Sequence, residues 1–341
     1  MKTFNKIIIF ISMNIVVLVL CTVCLSEPSC TKLLLHEAQY GNYDILIMGQ
    51  SHAYAGYNPY IVSEKLGGEA MDIARPSTAT INHYYMLQEV NLQKKYKTVL
   101  FDIDYGYWDR GHSGRAGSDA NLLFKLTGVR KIHYFNDVLL DSNYNDVFAD
   151  YKLSGLGTIK NIPHNLSIKF SKDYRINNPD IFPEVAGFTK EGYYKYGGRG
   201  FYMGVDYMKD YYFKPLVYDM DNIKDENNDA LIRMVDYCKE NGINLICMSS
   251  ALPPERLKNE EVEGFHNYFV AMCKKLNVPF YDMNYVKGLD RTGKDYIDKE
   301  GHMMKNLADK QTELMCQVIK NNNREKYFYT TYEDVLKNLG E

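Results

Sequence analysis

Residues 43–59 read YDILIMGQSHAYAGYNP, and this stretch decides the fold. Its apolar run stops at Gly49, which is typical of a buried strand of a parallel sheet. Ser51 and His52 follow at once, in a segment rich in small and turn-forming residues. Two interpretations are open: Ser51 is a nucleophile held at the end of a strand, or it is a polar residue in a turn.

Four similar apolar segments follow along the chain, and helical patterns separate them. The predicted strands are Tyr43–Gly49, Glu69–Ala74, Lys97–Asp104, Ile243–Ser250 and Val278–Asn284. The predicted helices are Pro59–Leu66, Thr80–Leu92, Asn228–Gly242, Glu260–Leu276 and Gly301–Ile319. Because strands that alternate with helices form doubly wound sheets, we expect an α/β fold with a five-stranded parallel sheet.

The alternation stops between residues 105 and 222, where the chain is rich in Tyr, Asn, Asp and Gly. We interpret residues 105–222 as a large insertion after the third strand that covers one end of the sheet. Long insertions in compact domains are often functional or lid-like. The α/β domain is then expected to span residues 43–320, with a spacer at 28–42 before it and a polar, tyrosine-rich tail at 321–341 after it.

An apolar run near the start of the chain predicts a membrane segment. Lys2 and Lys6 precede residues 7–25, whose only strongly polar side chain is Asn14. Nineteen helical residues span about 29 Å, close to the thickness of a bilayer core. Since lysines before the run favour a cytoplasmic N-terminus, we expect residues 1–27 to be a single-pass membrane anchor with the main domain outside the cytoplasm. A cleaved signal peptide is the alternative.

Charge and composition indicate which kinds of ligand or macromolecule the protein would bind. The formal net charge is -3 and no basic stripe stands out, so no nucleic-acid partner is expected. The 30 tyrosines would suit a sugar-binding surface, and ordinary packing explains them at least as well. Cys21 and Cys24 are not followed by a second pair at zinc-site spacing, so neither a metal nor a cofactor is expected.

Several polar residues follow the predicted strands directly. Because parallel strands end on one side of the sheet, where ligands bind in such folds, we expect these residues to lie together. They are residues 49–52, Pro76–Ser77, Asp104–Tyr105, Ser249–Ser250 and Asn284. Ser51 therefore falls where chemistry is expected.

A serine nucleophile needs a general base, and the base needs a group that orients it. The candidate base is His302, which precedes the last predicted helix, and Asp298 four residues upstream is the candidate orienting acid. Backbone N–H groups near Ser51 are expected to face the developing oxyanion. The alternatives are a surface histidine at a helix start and an acid that only complements the helix dipole.

Together these motifs resemble the SGNH (GDSL-like) hydrolase superfamily. IMGQSHAY at residues 47–54 looks like its Gly-x-Ser motif after the first strand, and DKEGHMMKN at 298–306 looks like its Asp-x-x-His motif before the last helix. The GxSH form is similar to the membrane-bound branch that includes the alginate O-acetylation proteins and the D-alanyl-teichoic-acid transfer protein. The resemblance covers residues 44–314 without the insertion.

The resemblance implies a flavodoxin-like fold, no metal, and serine esterase or O-acyltransferase chemistry. Ser51, His302 and Asp298 would act on an envelope polysaccharide or a teichoic-acid-like polymer. A multi-span membrane acyltransferase is the protein partner that it implies.

The resemblance also assigns oxyanion candidates. Ser77 stands in the place of the family's oxyanion glycine, and Tyr105 or Tyr107 would replace its asparagine, which this chain lacks. His52 is expected to support the loop or to contact substrate. The missing asparagine, and one extra residue between the acid and the base, leave a second interpretation open. The chain would then be an accessory or glycan-binding protein that keeps the fold without turnover.

Overall fold

Five short apolar segments form one parallel sheet in the computed structural model. Its strands are β1 (Ile45–Met48), β2 (Ala70–Asp72), β3 (Thr98–Asp102), β6 (Asn244–Ser249) and β7 (Phe280–Asp282), and a separate antiparallel pair is formed by β4 (Tyr194–Gly198) and β5 (Phe201–Gly204). The structure describes residues 2–25, 30–76, 78–109, 122, 125–140, 156–172, 192–207, 213, 219–258, 260–321 and 323–339.

Helices flank the sheet. In the described residues they are α1 (Lys2–Leu25), α2 (Cys30–Tyr40), α3 (Ser51–Gly56), α4 (Pro59–Leu66), α5 (Thr80–Val90), α6 (Arg130–Tyr134), α7 (Leu156–Lys169), α8 (Asp225–Asn241), α9 (Pro254–Leu257), α10 (Glu260–Leu276), α11 (Lys305–Asn321), α12 (Arg324–Tyr327) and α13 (Tyr332–Asn338). Helix α4 packs against α11, and α5 packs against α8.

Local sequence explains why these elements form. Strand β1 is buried along its whole length, so it reads as a continuous apolar run rather than an alternating one. Helix α8 buries a stripe at helical spacing that includes Leu231, Met234 and Cys238. It ends at Gly242, whose left-handed backbone suits the residue that follows a helix.

The strands lie in the order β2-β1-β3-β6-β7, and all of them are parallel. Counted along this sheet, the order is 2-1-3-4-5, which is the flavodoxin-like arrangement. The predicted five-stranded parallel α/β fold is therefore confirmed. The strand order reverses between β1 and β3, so the segments that follow those two strands meet at the position where such sheets bind ligands.

The N-terminal segment requires a correction. The sequence predicts a single-pass anchor, and α1 is indeed a helix from Lys2 to Leu25. A spanning helix needs about 20 consecutive, predominantly apolar residues. Over the residues described, none of the helices has both the length and the apolarity to cross a membrane, so the expected single-pass membrane topology is not supported.

The segments on either side of the α/β domain contribute to its core. Residues 28–42, expected to be a spacer, contain α2, whose Leu33, Leu34 and Leu35 are buried. The tail at 321–341 contains α12 and α13 and buries Phe328 and Tyr332. The packed body is therefore longer at both ends than the predicted range of 43–320.

The described part of the insertion contains the hairpin of β4 and β5. At the hairpin turn, the carbonyl of Arg199 accepts a hydrogen bond of 2.8 Å from the backbone N–H of Asp72 in β2. A Cβ at Gly200 would overlap the carbonyl oxygen of Asp72, so only glycine fits this approach. At the other end of the hairpin, Gly204 forms a bridge with Met304 just before α11. The hairpin is thus attached both to the sheet and to the segment that carries His302.

Candidate active site

Ser51 is the first residue of α3, directly after the turn that leaves β1. The turn is tight because Gly49 has a φ of 148°, and a Cβ there would lie 2.8 Å from the Cβ of Asp102. The ends of β1 and β3 therefore come closer together than any side chain at position 49 would allow. Ser51 is 9% exposed, so it is almost completely buried rather than on an open surface.

The side chain of Gln50 ties the Ser51 turn to the loop after β2. Its Oε1 accepts a hydrogen bond of 2.7 Å from the backbone N–H of Thr78, and its Nε2 donates to the carbonyl of the same residue. Ser77, the predicted oxyanion donor, lies outside the described residues. Its neighbour Thr78 shows that this loop reaches the Ser51 turn.

Asp298 and His302 form a hydrogen-bonded pair. Nδ1 of His302 lies 2.6 Å from Oδ2 of Asp298, and Oδ1 of Asp298 accepts the backbone N–H groups of Glu300, Gly301 and His302 at 3.0, 3.1 and 3.3 Å. Burial alone would raise the pKa of Asp298, but the hydrogen bond and charge of His302 outweigh it and lower that pKa. The ionised carboxylate only accepts, so Nδ1 of His302 carries a proton and donates it.

The ring of His302 lies beside the Ser51 helix, and its other nitrogen is unpaired among the residues that the structure describes. Its Nε2 is buried and has no hydrogen-bond partner within the described part of the chain. The His302 ring lies 5.2 Å from the ring of His52 and 6.0 Å from that of Tyr54, both on α3 next to Ser51. In the neutral imidazole this nitrogen has the free lone pair, so it is ready to accept a proton.

The structure thus brings the predicted base and acid beside α3, the helix that begins at the predicted nucleophile Ser51. Ser51 and His302 are not hydrogen-bonded to each other, because Nε2 of His302 has no partner among the residues described. Catalytic hydrogen bonds are often long without substrate and shorten when it binds.

His52 uses both of its ring nitrogens for internal contacts. Nδ1 lies 2.9 Å from Oδ2 of Asp104, and Nε2 lies 2.8 Å from the carbonyl oxygen of Glu300. Both neighbours are acceptors, so both nitrogens donate and the ring is a cation. Burial would lower the pKa of His52, but the charge and hydrogen bond of Asp104 outweigh it and raise the pKa to about 9. His52 therefore has no free nitrogen with which to bind substrate.

The two tyrosines proposed as oxyanion donors point in different directions. The hydroxyl of Tyr105 donates to Asp282, and its ring stacks on Phe265 and Phe269, so it is part of the core. Tyr107 is half-buried and close enough to Tyr54 to raise its pKa, although burial is the largest cause of that rise. Of the two, only Tyr107 lies near the Ser51 helix.

A wall of aromatic side chains beside His302 was not predicted. Tyr54 packs edge-on against Tyr202 with ring centroids 5.1 Å apart, and Tyr194 lies 6.3 Å from the His302 ring. Tyr194 and Tyr202 belong to the hairpin in the insertion. All three tyrosines are buried, so they pack around His302 instead of offering a stacking surface for sugars. The aromatic residues around the turn GGRG at residues 197–200 are a hairpin signal that could have revealed them.

Asp102 is a buried acid behind the site that was also not predicted. Its Oδ1 accepts hydrogen bonds from Ser250 (3.0 Å) and Tyr57 (3.3 Å), whereas its Oδ2 has no partner in the described chain segments. Burial is the main cause that raises the pKa of Asp102 to about 7. The nearby charge of Asp104 adds to this rise, and that of His52 opposes it.

Neither the possible metal ligands nor the similarity to known proteins assigns a further function to the site. Within the described ranges, no group of three or more His, Cys, Asp or Glu side chains is arranged to hold a metal ion. No model of a known protein family matches the chain, and no curated protein matches it with significant similarity. The resemblance to SGNH hydrolases therefore stays a prediction from the two motifs.

Proposed function

We propose that this protein is a serine ester hydrolase or O-acyltransferase with Ser51 as nucleophile, His302 as general base and Asp298 as the acid that orients it. One observation carries the proposal. His302 donates from Nδ1 to a buried carboxylate and leaves a buried, unpartnered Nε2 beside the Ser51 helix, as judged from the described residues. An unsatisfied buried nitrogen costs free energy, so its persistence in this position suits a functional role.

The first half-reaction follows from this geometry. Oγ of Ser51 attacks the ester carbonyl carbon while its proton passes to Nε2 of His302. The carboxylate of Asp298 keeps the imidazole in the required tautomer and stabilises the imidazolium that forms. The backbone N–H groups of Ala53 and Tyr54 already donate to the carbonyl of Gln50, so those of Ser51 and His52, at the start of α3, would donate to the oxyanion.

The second half-reaction completes the cycle. The C–O bond to the leaving alcohol breaks, and His302 returns the proton to that alcohol. Water or a hydroxyl group of an acceptor then attacks the acyl-Ser51 ester, again with His302 as base, and free Ser51 is restored. The choice between water and acceptor decides between hydrolase and transferase.

The proposed substrate is an ester on a hydroxyl-bearing polymer. The motif resemblance points to an envelope polysaccharide or a teichoic-acid-like polymer, and a multi-span membrane acyltransferase would be the partner that supplies acyl groups. The tyrosines beside His302 are buried and crowd the base, which favours a small acyl group such as acetyl.

Labelling by a fluorophosphonate probe tests the proposal, because the probe reacts with an activated serine even when turnover is slow. The full chain should be labelled on the peptide that contains Ser51, and Ser51→Ala should abolish both the label and the hydrolysis of p-nitrophenyl acetate. Ser167→Ala is the matched control, since Ser167 is an exposed serine on α7. Equal labelling of wild type and Ser51→Ala would refute the proposal.

A second candidate function is binding without turnover. It is favoured by the lack of a hydrogen bond between Ser51 and His302 in the described residues. In that case the wild type would bind an acylated polymer, Ser51→Ala would bind it equally well, and neither would react with the probe.

A further inference from the structure

His52 joins three segments that are far apart in the sequence. Resting on the proposed function, we propose that His52 is a positioning residue that holds the loop of His302 against the Ser51 turn. It lies next to Ser51 on α3, donates to Asp104 after β3, and donates to the carbonyl of Glu300, two residues before His302.

Local hydrogen bonds shape the His302 loop but do not attach it to the Ser51 turn. Asp298 accepts three backbone N–H groups of its own loop, and the N–H of Ile297 donates to the carbonyl of His302 at 2.7 Å. Arg256 on α9 donates to the carbonyl of Lys299 at 2.5 Å and holds the loop from that side. The bond from His52 to Glu300 attaches the loop from the side of Ser51.

The charge of His52 matters as well as its hydrogen bonds. The cation of His52 compensates the charge of the Asp104 carboxylate beside the Ser51 helix. Without this cation, an uncompensated carboxylate would remain beside α3 and would oppose the negative charge that develops on the oxyanion. The charged and titratable groups around this pair are Asp102 at the end of β3, Asp298, Glu300 and His302 in the loop, and Arg256 on α9.

Three variants of the full chain test the proposal. His52→Gln removes the cation and one of its two bonds. Asp104→Asn removes the partner charge but keeps the side-chain oxygen that accepts the N–H of Gly106, so it is the variant more certain to fold. His266→Gln is the matched control, because His266 also pairs with a buried aspartate, Asp282, outside the site.

The first readout is hydrogen exchange of the backbone amides in residues 298–303, which needs no activity. We expect exchange at least about tenfold faster in His52→Gln, since a neutral amide does not bridge Asp104 and Glu300 as the ring does, and in Asp104→Asn, since His52 loses the acceptor that orients its ring toward Glu300. We expect no change there in His266→Gln. Unchanged exchange in a folded His52→Gln, or in Asp104→Asn if the first variant does not fold, would overturn the proposal.

The second readout separates positioning by charge from simple support of the fold. In His52→Gln, the acid limb of the kcat/KM profile for p-nitrophenyl acetate should move to higher pH by about one unit, because the Asp104 charge is uncompensated. In Asp104→Asn it should not move upward, because that charge is gone. An upward shift in Asp104→Asn, or none in His52→Gln, would refute the charge argument. If wild type fails to react with the probe, the proposed function fails, and the exchange measurement alone decides the role of His52.

Discussion

Gly49 and Asp102 are in contact across the ends of β1 and β3, at the position where the strand order reverses. A Cβ at position 49 would lie 2.8 Å from the Cβ of Asp102 and 2.9 Å from that of Ala53. The backbone of Gly49 also has a φ of 148°, which other residues rarely adopt. The direction in which α3 presents Ser51 therefore depends on a residue without a side chain.

Gly49→Ala is expected to destabilise the protein and to impair the site. Strain and overlap together should lower the free energy of unfolding by about 2–5 kcal/mol. Urea unfolding followed by the fluorescence of Trp108, the single tryptophan, measures this change. Gly242→Ala is the control: its φ is positive but nothing lies within 4 Å, so it should cost only about 1–2 kcal/mol. Equal effects of the two substitutions would contradict the contact argument.

Asp298→Asn should lower kcat for ester hydrolysis by about 10²–10⁴-fold, because the base loses its orienting carboxylate. A large effect on KM is not expected, since Asp298 bonds to His302 and to its own loop and does not touch the substrate in the proposed mechanism. Asp295→Asn is the matched control in the same loop, because Asp295 bonds only to Thr292 through its side chain in the described residues. Activity in Asp298→Asn within twofold of wild type would remove this residue from the mechanism.

The pKa of Asp102, about 7, makes stability depend on pH in a definite direction. Its ordinary pKa is 3.8, so between these values the folded state holds a proton that the unfolded state has lost. The contribution to stability is therefore complete below about pH 4 and is lost as the pH rises to 7. Relative to Asp102→Asn, wild type should lose on the order of 1–4 kcal/mol of unfolding free energy over this window.

Urea unfolding at pH 5, 6, 7 and 8 checks this prediction. Asp102→Asn keeps an oxygen for Ser250 and Tyr57 but cannot ionise. The raised pKa of His52 contributes stability that is lost between pH 6.5 and 9, so the interval from pH 5 to pH 6, where His52 is charged in both the folded and the unfolded state, reports on Asp102 alone. If the free energy of unfolding changed with pH in the same way in wild type and Asp102→Asn, the pKa of Asp102 would not be raised by folding.

Gly200→Ala should detach the hairpin from β2 and disturb the site at a distance. A Cβ at this position meets the backbone of Asp72, so the variant should lose about 1–3 kcal/mol of stability and show faster amide exchange at Asp72. Ester hydrolysis should fall as well, because Tyr194 and Tyr202 pack near His302. Gly192→Ala, with a positive φ and open space around it, should leave exchange and hydrolysis unchanged. Unchanged ester hydrolysis in a Gly200→Ala variant that exchanges faster at Asp72 would show that the hairpin is independent of the site.

The sheet could be predicted from sequence because buried parallel strands read as short apolar runs. The helix Pro59–Leu66 has the predicted bounds, since Asn58 caps it and Pro59 fixes its first turn. The predicted strand Val278–Asn284 is shorter in the structure. Asp282 accepts the N–H of Asn284 and starts a 3₁₀ turn there, so the strand ends at Asp282.

The placement of Ser51, Asp298 and His302 could be predicted because each follows directly from the position of an element. The direction in which the side chain of Tyr105 points could not be predicted. A tyrosine after a strand can face the opening or the core, and here Phe265 and Phe269 on the distant helix α10 and the acceptor Asp282 decide. The hairpin was missed for a similar reason, since its partners Asp72 and Met304 are far away in the sequence.

The attachment of the hairpin turn to β2 has a consequence for the behaviour of the protein in solution. Strand β2 is outermost in the sheet, and unpaired backbone groups on such a strand are a template on which another chain can add. Arg199 occupies one of these groups by accepting the N–H of Asp72. A shortened form without the hairpin would expose these unpaired backbone groups on β2, and copies of the protein would be prone to aggregate by pairing through them.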